Sequence, residues 1–405
     1  MRRTKREEFI NWSGSVRFTP QERVQPKDHD DVADLVRKAA RRGQTVRPVG
    51  AGHSSTPIMA TADVLVSLDR MTGVVNHDAE AGLATVLPGT GLSDLGAELE
   101  KSGLALENFG DVDYQAIAGA IGTATHGTGE TLGNLSTTLM GGTLVTGSGQ
   151  TVPFGTEAGA GPEDDLLRAA QVSLGTLGVM TTLTLRVLPA YKLRRVNFKV
   201  HIDWVLEHFD ELAAHYRHVD FYWYPRSDVA QLRVLDEPER MAELEVPGTV
   251  HRDETGPSYK MLPNKQEIRF EEIEYMLPRE VGLETFRDAR YRIKDHHRTE
   301  VAWRVLVRTV APDRALLSNT YGRPTMTVAL LHNVGLPYEN YFFDFEQMFL
   351  EAGGRPHWGK KHTRRAVHLR TMYPEWDTFT RLRRELDPGG VFMNDYLHDL
   401  LEEPT

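Results

Sequence analysis

At 405 residues, with 40% hydrophobic and 26% charged residues, the chain has the composition of an ordinary globular protein with a large buried core. A net charge of −10 argues against nucleic acid or an anionic membrane as the main partner, because both demand basic surface. The lack of cysteine excludes disulfides, thiolate catalysis and cysteine metal sites. The basic start, residues 1–8, precedes no apolar stretch of a signal peptide, and no run approaches the roughly 18 apolar residues of a membrane span. The chain therefore reads as soluble and cytoplasmic.

Residues 11–14 suggest a loop and 16–18 a short strand. A helix follows over 30–42, where Val32, Leu35, Val36, Ala39 and Ala40 form one stripe and Gly43 ends it. A β-branched run at 44–46 then enters the loop Val49-Gly50-Ala51-Gly52-His53-Ser54. Its glycines remove side chains where backbone must bend or approach something closely, and its N–H groups suit a pyrophosphate. Strands are expected at 64–67, 74–76 and 84–87. A turn at 88–91 contains Gly89, and a helix over 92–101 carries Leu92, Leu95 and Leu99 on one face.

Residues 107–129 are rich in small side chains. Taken alone, this stretch fits a tightly packed helix between glycine turns as well as a ligand-binding loop. It contains Gly110, Asp111, Asp113, Gln115, Gly119, Gly122, Thr123, His126 and Gly127. A third glycine segment, 175–179, includes Gly178 and Val179 and feeds a strand over 180–188. The character of the chain changes near Pro189-Ala190-Tyr191. Beyond lie a helix near 203–216, an aromatic strand at 221–224 that reads as core, and a charged surface excursion over 237–265. A helix runs from 277 to about 295. Strands at 300–309 and 325–333 follow, the first with Val301, Trp303, Val305 and Val307 on one face and Arg304, Leu306 and Arg308 on the other. The tail holds His357-Trp358-Gly359-Lys360, a helix near 375–385, and Val391-Phe392-Met393-Asn394.

These stretches together resemble the vanillyl-alcohol oxidase family of FAD-dependent oxidoreductases, and within it the aldonolactone and alditol oxidase branch. The resemblance runs from Asn11 to Asn394, and the His-Trp-Gly-Lys motif is its most branch-specific part. It implies an α+β fold: a two-lobed FAD-binding domain over 1–190, a substrate-binding domain with an antiparallel sheet over 191–350, and a segment over 351–405 returning to the flavin. His53 would carry FAD covalently. The three glycine segments, with Gly89 and Asn394, would hold the cofactor. Asp111, Asp113, Arg304, Arg308, His357 and Lys360 would face the substrate, with Lys360 and Arg308 at the reacting hydroxyl.

The implied activity is oxidation of a sugar-derived alcohol, such as L-gulono- or D-arabinono-1,4-lactone, by hydride transfer to flavin N5. An alditol is the alternative substrate. Glycine at 110 implies a path for O2 and hydrogen peroxide as product, with a dehydrogenase using another acceptor as the rival. The chain departs from the family at Leu306, where the glutamate of a Glu-x-Arg motif is expected. Glu300 would lie about 20 Å away along a strand at roughly 3.3 Å per residue, so it is no substitute. Asp111 and Asp113 are the candidates to supply the acceptor. The pairs His296-His297 and His357 with His362 lack the spacing of a metal motif, and no metal is expected.

Overall fold

The computed structural model describes residues 1–402 except 242–243, 265–267 and 302. Helix starts and stops follow the local chemistry. In His29–Arg41 the Asp28 carboxylate accepts from the Asp31 amide at 2.9 Å, satisfying a free donor of the first turn. Gly43 follows at φ +63°, the left-handed conformation that side chains resist. The helix packs Val32, Leu35, Val36 and Ala39 into one core with Val24, Val46, Val64 and Val66. Those valines belong to a four-stranded sheet in the order Arg2–Lys5, Glu22–Gln25, Val64–Ser67, Val46–Val49. The last three strands of that order are parallel, and Arg2–Lys5 pairs antiparallel at the edge.

A second, five-stranded sheet is antiparallel, with Leu139–Val145 and Val179–Arg186 near its centre. The leucine stripe of Leu92–Lys101 packs beside it as the spacing predicts.

The third sheet has eight strands and is antiparallel throughout. Its order is Thr249–Pro257, Lys192–His201, Val229–Asp236, His218–Tyr224, Val305–Val310, Thr325–Asn333, Phe270–Pro278 and Arg355–Pro356. Helices Ile202–His215, Arg279–Arg292 and Glu339–Glu351 cover one face, through Phe209, Phe286, Phe345 and Phe349. Each of these buried phenylalanines contributes on the order of 2–3 kcal/mol of transfer free energy. The period-two alternation sends Val305 and Val307 into that core. Leu306 and Arg308 go to the opposite face.

Three expectations need correction. The excursion over 237–265, whose residues 242–243 and 265 lie outside the described set, contains the strand Thr249–Pro257 and the short helix Ser258–Met261. That strand is paired on one side only and its side chains are mostly exposed, so its polar composition imitates a loop. The strand expected at 300–309 begins at Val305, and residues 293–297 extend the preceding helix as a π-turn. The helix expected from 277 begins at Arg279, because Leu277 and Pro278 finish a strand.

The tail closes against the first glycine loop. Ser55 donates its amide to the Gly359 carbonyl at 2.8 Å, and Val46 to that of Val391 at 2.7 Å. Fully enclosed Arg47 donates to the carbonyls of Ile58, Leu174, Gly175 and Phe392. Burial draws its pKa down to about 9, which leaves it charged at neutral pH.

Candidate active site

Two cavities meet at the end of the first glycine loop. The larger, about 930 Å³, runs between residues 49–54, the turn at 88–89, the helix Ile117–Gly122 and residues 173–178. Its walls are rich in glycine and alanine. At Gly89 an added side-chain carbon would lie 2.0 Å from the Leu68 carbonyl oxygen, so only glycine lets the turn pass. Gly119 is the opposite case: a carbon added there meets nothing within 4 Å and would stand in the cleft.

His53 faces both cavities. Its ring lies edge-on to Trp12 at 4.7 Å and to Tyr114 at 5.1 Å. Burial, and then the charge of Lys360, pull its pKa down to about 3, so the imidazole is neutral at physiological pH. Its Nδ1 is buried without a hydrogen-bond partner. Leaving such an atom unmet costs about 1–3 kcal/mol, which marks it as a contact for a bound group. A cleft rich in glycine and alanine, an open space at Gly119 and an orphaned neutral imidazole fit the flavin that the glycine segments imply.

The smaller cavity, about 600 Å³, lies between these loops and the free face of the eight-stranded sheet. Glu272 and Glu274 enter it from Phe270–Pro278, two residues apart and so on one face. Val305–Val310 supplies Leu306 and Arg308, the second glycine segment His126, and the tail His357 and Lys360. Arg308 donates from Nη2 to Glu274 Oε1 at 2.6 Å and from Nη1 to the His126 carbonyl at 3.0 Å. His126 Nε2 lies 3.2 Å from the same carboxylate oxygen. Lys360 Nζ donates to the Glu272 carboxylate. His357 Nδ1 accepts from the Gly359 amide at 3.0 Å, which leaves the ring proton on Nε2.

The two carboxylates are poised in opposite directions. Burial raises the pKa of Glu272, since Lys360 only partly offsets the loss of solvation and Glu274 adds repulsion. At Glu274 burial is outweighed by Arg308 and His126, which hold it well below the usual range. Burial keeps His126 and His357 neutral. Asp111, whose desolvation is outweighed by Arg233 and Arg308, is also held low, and it accepts from Tyr222 at 2.7 Å and Asn264 at 2.6 Å.

Most of the residues singled out from the sequence converge here. Val49, Gly50, Ala51, Gly52, Gly89, Gly119, Gly122 and Gly178 line the larger cavity, and His53, Ser54, Gln115 and Thr123 line both. Asp111, His126, Arg308, His357 and Lys360 line the smaller. Six others are not brought to either wall. The missing side chain of Gly110 points at Thr125 Cγ2, 2.8 Å away, and that of Gly127 at the Phe109 carbonyl, 2.3 Å away. Val179 sits in the core beneath the first helix. Asn394 caps Asp395–Leu401 and donates to the Ala60 carbonyl at 2.7 Å, so it anchors the tail. Asp113 accepts the Ser93 amide through its carbonyl, and Arg304 lies 3.8 Å over the Tyr222 ring.

Sequence reasoning missed Glu272 and Glu274. The signal was the alternation of Ile273, Tyr275 and Leu277 before Pro278, which puts the carboxylates on the other face of a strand. His126, Glu274 and His357 also offer ligand atoms within 4.8 Å of one another, and the Arg308 guanidinium donates to Oε1 of that carboxylate.

A family model described as D-arabinono-1,4-lactone oxidase matches residues 183–246 and 239–400, and one described as an FAD binding domain matches residues 20–155. An L-gulono-1,4-lactone dehydrogenase of Mycobacterium tuberculosis is 36% identical, over 97% of this chain and 99% of that one. An alditol oxidase of a Streptomyces species is 31% identical over 97% and 98%, and the L-gulonolactone oxidase of Mus musculus 28% over 96% and 97%. Among solved structures, cholesterol oxidase from Brevibacterium sterolicum superposes with a TM-score of 0.85 at 17% identity, covering 99% of this chain and 97% of that one. At that identity the likeness speaks for the fold alone.

Proposed function

The chain belongs to the aldonolactone and alditol oxidase branch of the vanillyl-alcohol oxidase family of FAD-linked oxidoreductases, and from that premise we propose that it oxidises a hydroxyl-bearing carbon of a sugar-derived lactone. The observation that carries this reading is the junction of the two cavities at His53, with Lys360, Arg308 and two carboxylates on the far side. Residues 1–190 would form the cofactor domain, 191–350 the substrate domain, and 351–405 the segment that completes the site.

The glycine segments would hold FAD in the larger cavity, and bound FAD supplies a two-electron acceptor for the hydride leaving the substrate carbon. Covalent attachment through His53 is supported by its neutral ring and unpartnered Nδ1, since bond formation needs a free imidazole lone pair. Lys360 and Arg308 orient the substrate hydroxyl and favour its developing negative charge. Glu272, buried and hydrogen-bonded to Lys360, is the group that accepts the hydroxyl proton. Glu274 keeps the Arg308 guanidinium in position. His126 completes that cluster and stays neutral.

For the acceptor, glycine at 110 supports O2 with hydrogen peroxide as product, the residue type that leaves oxygen access in this family. A non-oxygen acceptor is the second reading. It is favoured by the name of the mycobacterial relative and by the packing of Gly110 against Thr125. An alditol is the alternative substrate, after the Streptomyces relative. Turnover of L-gulono-1,4-lactone, followed by oxygen uptake and peroxide release in parallel with dye reduction, separates these. Peroxide equal to the lactone consumed supports the oxidase, and turnover only with the dye assigns the dehydrogenase. Acid precipitation tests the tether: flavin should pellet with wild-type protein and stay in solution for His53→Ala.

A further inference from the structure

The smaller cavity has an apolar stretch between two charged ends, Glu272, Glu274, Arg308 and Lys360 at one and Asp111, bonded to Tyr222, at the other. Strand pairing sets Tyr222 opposite Leu306, Leu306 opposite Ala329, and Ala329 opposite Glu274. One level along, Leu331 stands opposite Glu272. Each carboxylate therefore sits on the outer strand of its row, while the strands beside it present Leu306, Ala329 and Leu331. With strands about 4.8 Å apart, Leu306 lies roughly 10 Å across the sheet from Glu274. Tyr222, Phe270, Leu306, Ala329 and Leu331 form one apolar cluster. Its members Phe270, Leu306 and Leu331 line the cavity itself. Tyr222 packs behind this wall, and its hydroxyl donates to Asp111 at 2.7 Å. A substrate hydroxyl pressed directly onto Leu306 or Leu331 would leave water for a side chain that offers no hydrogen bond.

Building on the oxidation proposed above, we infer that the substrate is apolar where it crosses the leucine wall: its reacting hydroxyl meets Glu272, Lys360 and Arg308, and the part over Leu306, Ala329 and Leu331 carries hydrogen or alkyl groups. The chemical class is a 2-hydroxylactone, or a related secondary alcohol, that is deoxygenated or alkylated beside the reacting carbon. A fully hydroxylated sugar lactone fits the charged edge but strands a hydroxyl on the leucine wall.

The test compares L-gulono-1,4-lactone with 2-hydroxy-γ-butyrolactone and its 3,3-dimethyl derivative on the flavin-loaded full chain. It reads kcat/KM with one electron acceptor and binding by calorimetry. The two less hydroxylated lactones should lead by about 10- to 100-fold in kcat/KM, the range over which an apolar pocket discriminates against an added hydroxyl. Leu306→Gln should narrow that ratio at least about tenfold by improving the gulonolactone, whereas Leu306→Ala should preserve the preference. An equal or better gulonolactone in the wild-type protein overturns the inference, and this comparison decides even if Leu306→Gln fails to fold. If no lactone turns over yet binding keeps the predicted order, the redox reading fails and the inference about the wall stands.

Discussion

Glu272 is the residue on which the proposed chemistry turns, because a carboxylate that must take a proton works only while it is ionised. Burial raises its pKa, so activity should fall on the acid side as the group protonates. Glu272→Gln should lower kcat by about 10²–10³ and flatten the acid limb of the pH profile of kcat/KM. A variant with lowered kcat and an unchanged acid limb would assign the proton to another group. His53, Arg308 and Lys360 were legible in the sequence because each sits in a short motif whose chemistry is local. Glu272 and Glu274 were not, since their role depends on which face of a strand meets a tail about ninety residues later. Asn394 and Gly110 present the opposite case. A motif matches whether its residue touches a ligand or braces the backbone, and here Asn394 holds the Ala60 carbonyl while Gly110 packs against Thr125.

Among the elements, the short helix Ile117–Gly122 offers the cleanest separation of folding from cofactor binding. Gly119→Leu adds a side chain where nothing in the protein stands within 4 Å, so the flavin-free fold should keep its melting temperature within a few degrees. Flavin retained after purification should drop sharply. Undiminished flavin content in that variant would move the cofactor out of the larger cavity. Amphipathic elements were readable because one face is apolar: Leu92–Lys101 ends where its leucine stripe and Gly103 predict. Thr249–Pro257 was not. An edge strand with water on its open side needs no apolar alternation, and only its pairing with Lys192–His201 reveals it.

For the whole molecule, buried neutral histidines fix the direction of its pH response. Burial holds His218 at about 3 and His362 at about 4, against 6.5 for an exposed ring. Below pH 6.5 the unfolded chain binds protons that the folded one refuses, so stability is full above that pH and declines toward the folded pKa values. At pH 5.5 each of the two should cost roughly 1 kcal/mol, so a few kcal/mol together, relative to pH 7.5. Equal urea midpoints at the two pH values would contradict the burial of these rings. The same compactness joins distant segments at the site. Arg47 ties the first and third glycine segments to the tail, so the two cavities share one frame.

Their joint operation is the central claim, and anaerobic mixing of flavin-loaded protein with a hydroxylactone tests it most directly. One equivalent of an accepted lactone should bleach the visible absorbance of the flavin. Glu272→Gln and Lys360→Met should slow that bleaching while leaving the flavin bound. Flavin that stays oxidised in the wild-type protein with every lactone and alditol, although the ligands bind, would contradict the account.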